Sequence, residues 1–150
     1  MQLTKYTDFG LRVMMYLTQC RDRSTPVTIP EIADRFAVSR NHLVKVVHFL
    51  GQQGWVITAR GKGGGLRLSQ PPVEYRLGDL IYTLEHQGAI VNCGEPPCTL
   101  QGFCLLSDAL ASSLKLFYDE LNRRSLADLV ASPTKEAIVK LHLSATTCTT

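Results

Sequence analysis

From Phe9 to Leu17 most positions are apolar: Phe9, Leu11, Val13, Met14, Met15, Tyr16 and Leu17. They cover most of a helical circumference, so a helix running to about Gln19 is expected to be buried on several sides. Thr7 is the expected cap, with Asp8 in the first turn, where a carboxylate favours the helix dipole. A polar loop from Arg21 to Pro26 precedes a second periodic stretch, in which Ile29, Ile32, Ala33 and Phe36 recur at helical spacing and Pro30 suits a first turn. After a short turn at Ala37 and Val38, Ser39 is a good N-cap for a third helix with the buried stripe Leu43, Val46, Val47 and Leu50. Two short helices joined by a tight turn spell a helix-turn-helix.

Gly51 and Gly54 close that helix, and Trp55–Thr58 and Leu66–Leu68 are expected strands on either side of a glycine-rich basic tip. A hairpin in this position is a wing. A phosphate-cradling loop is the rival reading, but no Gly-Lys-Ser/Thr leads into a helix here. Pro71-Pro72 ends the module, and Leu77–Glu85 makes a short helix. Farther on, Leu106, Leu110, Leu114, Phe117 and Leu121 fall at steps of four, four, three and four along a helix to Asn122. Such a stripe suits pairing with a second copy, the alternative being packing on its own domain. Leu126–Val130 adds a final short helix. The expected fold is mainly α with a small β-hairpin, a winged helix-turn-helix plus a long dimerisation helix. The expected units are residues 1–75 for DNA binding, 76–132 for the cysteine loop and dimerisation helix, and a tail 133–150 that is partly disordered and frayed from Ser144.

Charge sharpens this picture. Residues 1–68 carry ten Lys/Arg against four Asp/Glu, and residues 69–150 carry six against nine, so +6 and −3 make up the net +3. The N-terminal half has the electrostatic reason to meet a polyanion. At the start of the third helix Ser39, Arg40, Asn41, His42, Val44 and Lys45 lie outside the buried stripe. Arg40 suits guanine, Asn41 adenine and Val44 a thymine methyl, whereas Lys45 suits phosphate. His42 and His48 fit surface or packing roles as well. Arg60 and Lys62 on the wing would follow the backbone or enter a narrow minor groove.

No run approaches the ~18 apolar residues of a membrane span. The first apolar stretch contains Arg12 and lacks a basic leader, so a cytosolic chain with reduced thiols is expected. Three of the five cysteines, Cys93, Cys98 and Cys104, crowd into the loop VNCGEPPCTLQGFCL. An odd count with such crowding suits a metal better than a disulfide framework. The intervals of four and five residues are looser than the paired cysteines of structural zinc, although zinc stays open on spacing alone. Thiolates are soft ligands that suit iron–sulfur clusters as well. Cys20 and Cys148 lie outside the loop and fit structural or incidental roles. The four histidines are scattered, without a carboxylate partner evident in the sequence, so an enzyme is not expected.

Together MQLTKYTDFGLR, VSRNHLVKVV, RGKGGGLRL, the VNC before the loop and SLADLV resemble the NsrR family, bacterial nitric-oxide-sensing repressors related to the iron–sulfur regulator IscR. The resemblance covers Met1 to about Ala131. It implies a winged-helix homodimer on imperfect palindromic promoter sites. It also implies a 4Fe–4S cluster on Cys93, Cys98 and Cys104, with an aspartate near the start of the first helix of the other subunit as fourth ligand. The matching position is Asp8. Nitrosylation of the cluster would then release the repressor from DNA. Related 2Fe–2S regulators carry a histidine three residues after the last cysteine, where Ser107 stands here. A sensor of iron or cluster supply, and a constitutive DNA-binding module with structural zinc, are the alternatives.

Overall fold

A computed structural model describes residues 2–59, 61, 63–85 and 90–143. Helix α1 spans Lys5–Gln19. Its cap is Thr4 rather than Thr7: the Thr4 side chain accepts from the Thr7 backbone N–H at 3.2 Å, and Thr7 lies fully buried inside the first turn. Two threonines three residues apart both fit a cap by residue type, and only the backbone path chooses between them. As the apolar circumference required, α1 buries Val13, Met14, Tyr16 and Leu17 at the centre of the core.

Helix α2 (Ile29–Phe36) is capped by Thr28 and ends where Ala37 takes a left-handed conformation, φ +51°. Helix α3 (Arg40–Gln52) follows from Ser39 and buries Leu43, Val46, Val47 and Leu50 against α1 and α2. Gly51 lies inside α3, and Gly54, at φ +71°, turns the chain into the hairpin. Strands β1 (Val56–Thr58) and β2 (Leu66–Leu68) pair antiparallel, Val56 opposite Leu68 and Thr58 opposite Leu66. The Leu66 N–H donates to the Val27 carbonyl at 2.8 Å, which fastens the wing to the segment between α1 and α2. Gly65 makes this possible, since a Cβ there would stand 2.6 Å from both Pro26 Cβ and Val27 O.

A single 3-10 turn at Pro72–Glu74 leads to α4 (Leu77–Leu84). The cysteine loop follows, then α5 (Leu105–Leu121), α6 (Leu126–Leu129) and α7 (Thr134–Leu143). Arg76 and Ser125 form an antiparallel bridge, with Leu77 N–H on Arg124 O at 3.0 Å and Leu126 N–H on Tyr75 O at 2.9 Å. The α4–loop–α5 excursion is therefore closed at its base. Beyond it the chain returns to the N-terminal core, where Leu126, Val130 and Ile138 are buried with the residues of α1 and α3. Residues 134–143, read from sequence as part of a tail, form a helix packed on α1. Residues 144–150 lie outside the described residues.

Candidate functional site

The outward side of α3 is polar and free of carboxylates. Its thirteen residues include no Asp or Glu, and Asn41, Val44, Lys45, His48 and Gln52 are all exposed on one side. Arg40 bonds Asp34 of α2 at 3.3 Å, with both side chains more than half exposed. Solvent weakens such a pair, so the guanidinium is available to a stronger anion. Ser39 precedes the helix without a side-chain cap bond. His42 stacks on Phe9 of α1, ring centroids 6.3 Å apart, a packing role that sequence left undecided. Of the wing, β1, β2 and the turn residues Gly61 and Gly63 are described, whereas Arg60 and Lys62 lie outside the described residues.

Helix α1 is joined to α3 by ring contacts. Tyr6 meets Phe49 edge-on at 5.8 Å, the Tyr6 hydroxyl donates to the Lys45 carbonyl at 3.5 Å, and Phe9 carries His42. Asp8 lies between Tyr6 and Phe9 and accepts from Arg12 Nε at 2.9 Å, each side chain just under half exposed. Asp8 is thus surface-accessible on a helix that packs directly on the reader. Two turns along α1 from Asp8, Glu31 accepts from Tyr16 at 2.8 Å and from Arg23 at 2.5 Å. Burial would raise the Glu31 carboxyl, but the Arg23 and Tyr16 bonds outweigh it and hold it below the ordinary range. Burial together with Glu31 pushes the Tyr16 hydroxyl well up.

In the cysteine loop Cys98 N–H donates to Cys93 O at 3.0 Å, closing a turn across Gly94–Pro97. Cys93 and Cys104 are half-buried and line an open cavity of about 480 Å³ with Asn92, Gln101, Gly102 and Ser107, while Cys98 is exposed. Among the described residues no three His, Cys, Asp or Glu side chains are gathered closely enough to hold a metal. Cys20 sits in the core, where burial raises its thiol; Cys148 lies outside the described residues.

Helix α5 has two apolar sides. Leu110, Leu114, Phe117 and Leu121 are half-buried. The flank that carries Tyr118 and Asn122 packs on α4: Tyr118 meets Tyr82 edge-on at 5.3 Å, and Asn122 exchanges hydrogen bonds with the Asp79 N–H and carboxylate at 2.9 and 2.8 Å. Leu106 remains 63% exposed. Turned away from α4 is a second strip, Leu105, Ala109 and Leu116 beside Ser112 and Ser113, every member exposed. Periodicity reveals an apolar face but not its cover, and the short steps between Ala109, Ser112 and Leu116 conceal the second strip behind small residues.

A helix-turn-helix with a donor-lined second helix, followed by a hairpin anchored on the segment before it, defines a winged-helix DNA-binding transcription regulator. Over residues 3–132 the chain matches the Rrf2 family, described as iron-dependent transcriptional regulators, and it belongs to that family. Its members are regulators rather than enzymes, bind DNA and usually act as dimers. Among solved structures it resembles IscR of T. potens, with 23% identity, a TM-score of 0.69, and 87% of this chain and 86% of that one covered. A candidate transcriptional regulator from Listeria innocua shares 25% identity at a TM-score of 0.70, with 89% of each chain covered. The global cysteine regulator CymR of B. subtilis shares 25% identity at 0.60, covering 86% and 95%. Among the described residues no helix is long and apolar enough to cross a membrane.

Proposed function

We propose that the chain is a homodimeric transcriptional repressor of the NsrR type. Cys93, Cys98 and Cys104 hold a 4Fe–4S cluster completed by Asp8 of the partner subunit, and nitric oxide relieves binding to a palindromic operator. The donor set fits. Thiolates are soft ligands suited to iron, two of the three line one cavity, and the Cys93–Cys98 turn keeps the third on the same loop. The Ser107 position, where a histidine would suit a 2Fe–2S site, faces this cavity as a hydroxyl. When bound, the cluster supplies the iron that reacts with nitric oxide.

The observation that carries this reading is the joint between Asp8's helix and the reader. Tyr6 and Phe9, flanking Asp8 by two residues and one, pack on Phe49 and His42 of α3. Whatever grips Asp8 therefore grips α3. A dimer must present two recognition helices about 34–36 Å apart. Full reversal of occupancy needs a differential of roughly 5.5 kcal/mol, which the loss of a few base contacts at about 1–3 kcal/mol each supplies. Arg40, Asn41 and Val44 read bases in this account, with Ser39, Lys45, Arg60 and Lys62 on the backbone and His42 held by Phe9. The dimer seam is the outward strip of α5, where Ala109, Ser112 and Ser113 allow close approach and Leu105, Leu106 and Leu116 supply apolar area.

Anaerobic DNA titration with stepwise nitric oxide tests the reading. Wild type is expected to lose its operator as nitric oxide is added. An Asp8→Ala protein that keeps a normal cluster and the full response would sink the tie between subunits. Sensing of iron supply is a second reading, favoured by the family's iron dependence. Cluster loss to a chelator, with a cluster inert to nitric oxide, would select it.

A further inference from the structure

Between the far end of α3 and the wing lies an open groove of about 420 Å³, lined by Val47, His48, Gly51, Gln52, Val56 and Thr58. We propose that this groove is a DNA-backbone site, where His48 and Gln52 of α3 and Thr58 of β1 take one phosphate of the operator. The inference rests on the DNA-binding reading and extends it to residues that periodicity assigns to a solvated helix end.

Three observations carry it. First, His48 and Gln52 continue the line of Asn41, Val44 and Lys45 along one side of α3, about 16 Å from Asn41 to Gln52 at 1.5 Å per residue. They therefore share the face that the DNA-binding reading turns toward the duplex. Second, each polar side chain on the groove wall, His48, Gln52 and Thr58, can donate a hydrogen bond, and α3 brings no carboxylate to it. Third, Gly51 keeps the floor open: a Cβ there would meet only Val56 O, at 3.7 Å, leaving room on the solvent side. Since the wing is held in place by the Leu66–Val27 bond, Thr58 keeps its place opposite the helix without DNA. A preformed concave wall of donors between a recognition helix and a wing suits a phosphate, which fixes register without reading sequence.

The test is a titration of the full-length protein with two duplexes, one selected by the wild type from a random pool and one scrambled. His48→Ala and Gln52→Ala are each expected to weaken both duplexes alike, by about fivefold, the size of one lost hydrogen bond. Gly51→Glu should weaken both by tenfold or more at low salt, with the deficit shrinking as salt rises. His48 and Gln52 are exposed, and a Cβ at Gly51 meets only Val56 O at 3.7 Å, so thermal unfolding should stay close to wild type. Wild-type affinity in all three variants would overturn the site. So would a loss confined to the selected duplex, because His48 and Gln52 would then be base readers. A wild type that binds neither duplex fails the DNA-binding reading itself and takes this inference with it.

Discussion

The Glu85 carboxylate accepts two hydrogen bonds from Thr4, from its N–H at 2.8 Å and from its hydroxyl at 3.1 Å. The residue that ends α4 thus holds the residue that starts α1, across 81 positions of sequence. Helix α5 joins the same cluster, since burial, then Glu85 and Tyr82, raise the Tyr118 hydroxyl. The helix before the cysteine loop therefore meets the N-terminus of the helix that carries Asp8.

Removing that latch should free the start of α1 without unfolding the core. Glu85→Ala is expected to cost about 1 kcal/mol in urea unfolding and to speed hydrogen exchange in residues 2–10. Wild-type exchange there would contradict the latch.

Gly78 gives a test by sign. A Cβ at this position would overlap the Tyr118 carbonyl and stand 2.6 Å from Asn122 Oδ1, where α4 and α5 cross. Helix propensity predicts that Gly78→Ala stabilises by roughly 1 kcal/mol. The close crossing predicts a loss of about 1–3 kcal/mol, visible as a lower Tm. A raised Tm would mean that the two helices do not approach as described.

The Tyr16–Glu31–Arg23 group predicts acid sensitivity. Glu31 has a folded value below its ordinary 4.5, so the fold favours its ionised form. That contribution is complete above the ordinary value and is lost as pH falls through the folded one. The Tm gap between wild type and Glu31→Gln should hold from neutral pH down to about 4.5 and shrink below it. A gap independent of pH would contradict the charge-based account.

The two sides of α5 separate folding from assembly. Leu114→Ala should lower Tm with the dimer kept, because Leu114 is half-buried within one chain. Leu116→Glu should give a folded monomer by sedimentation with little change in monomer stability, since Leu116 is 68% exposed in one chain. Monomers from the first variant and dimers from the second would reverse the assignment.

Much of the reader was legible because its elements carry their own signals. The 3.6-residue stripes of α2 and α3, the turn after Phe36 and the glycines around the wing mark boundaries within a residue or two. The long helix was equally visible, but its apolar stripe could not say whether α4 or a second chain covers it. The Thr4 cap was hidden because Thr4 and Thr7 both suit a cap by residue type, and only the backbone path chooses between them. Helix α7 carries a buried anchor, Ile138, within a mixed pattern, so its place against α1 is a tertiary fact. The cysteines declared themselves by crowding, whereas the groove formed by His48, Gln52 and Thr58 exists only once β1 folds beside α3.

Native mass spectrometry of anaerobically purified protein, before and after stepwise nitric oxide, tests the central claim most directly. A dimer with one 4Fe–4S cluster per chain that converts to iron-nitrosyl forms at low stoichiometry is expected. A zinc-loaded dimer, or a cluster that nitric oxide leaves unchanged, would contradict it.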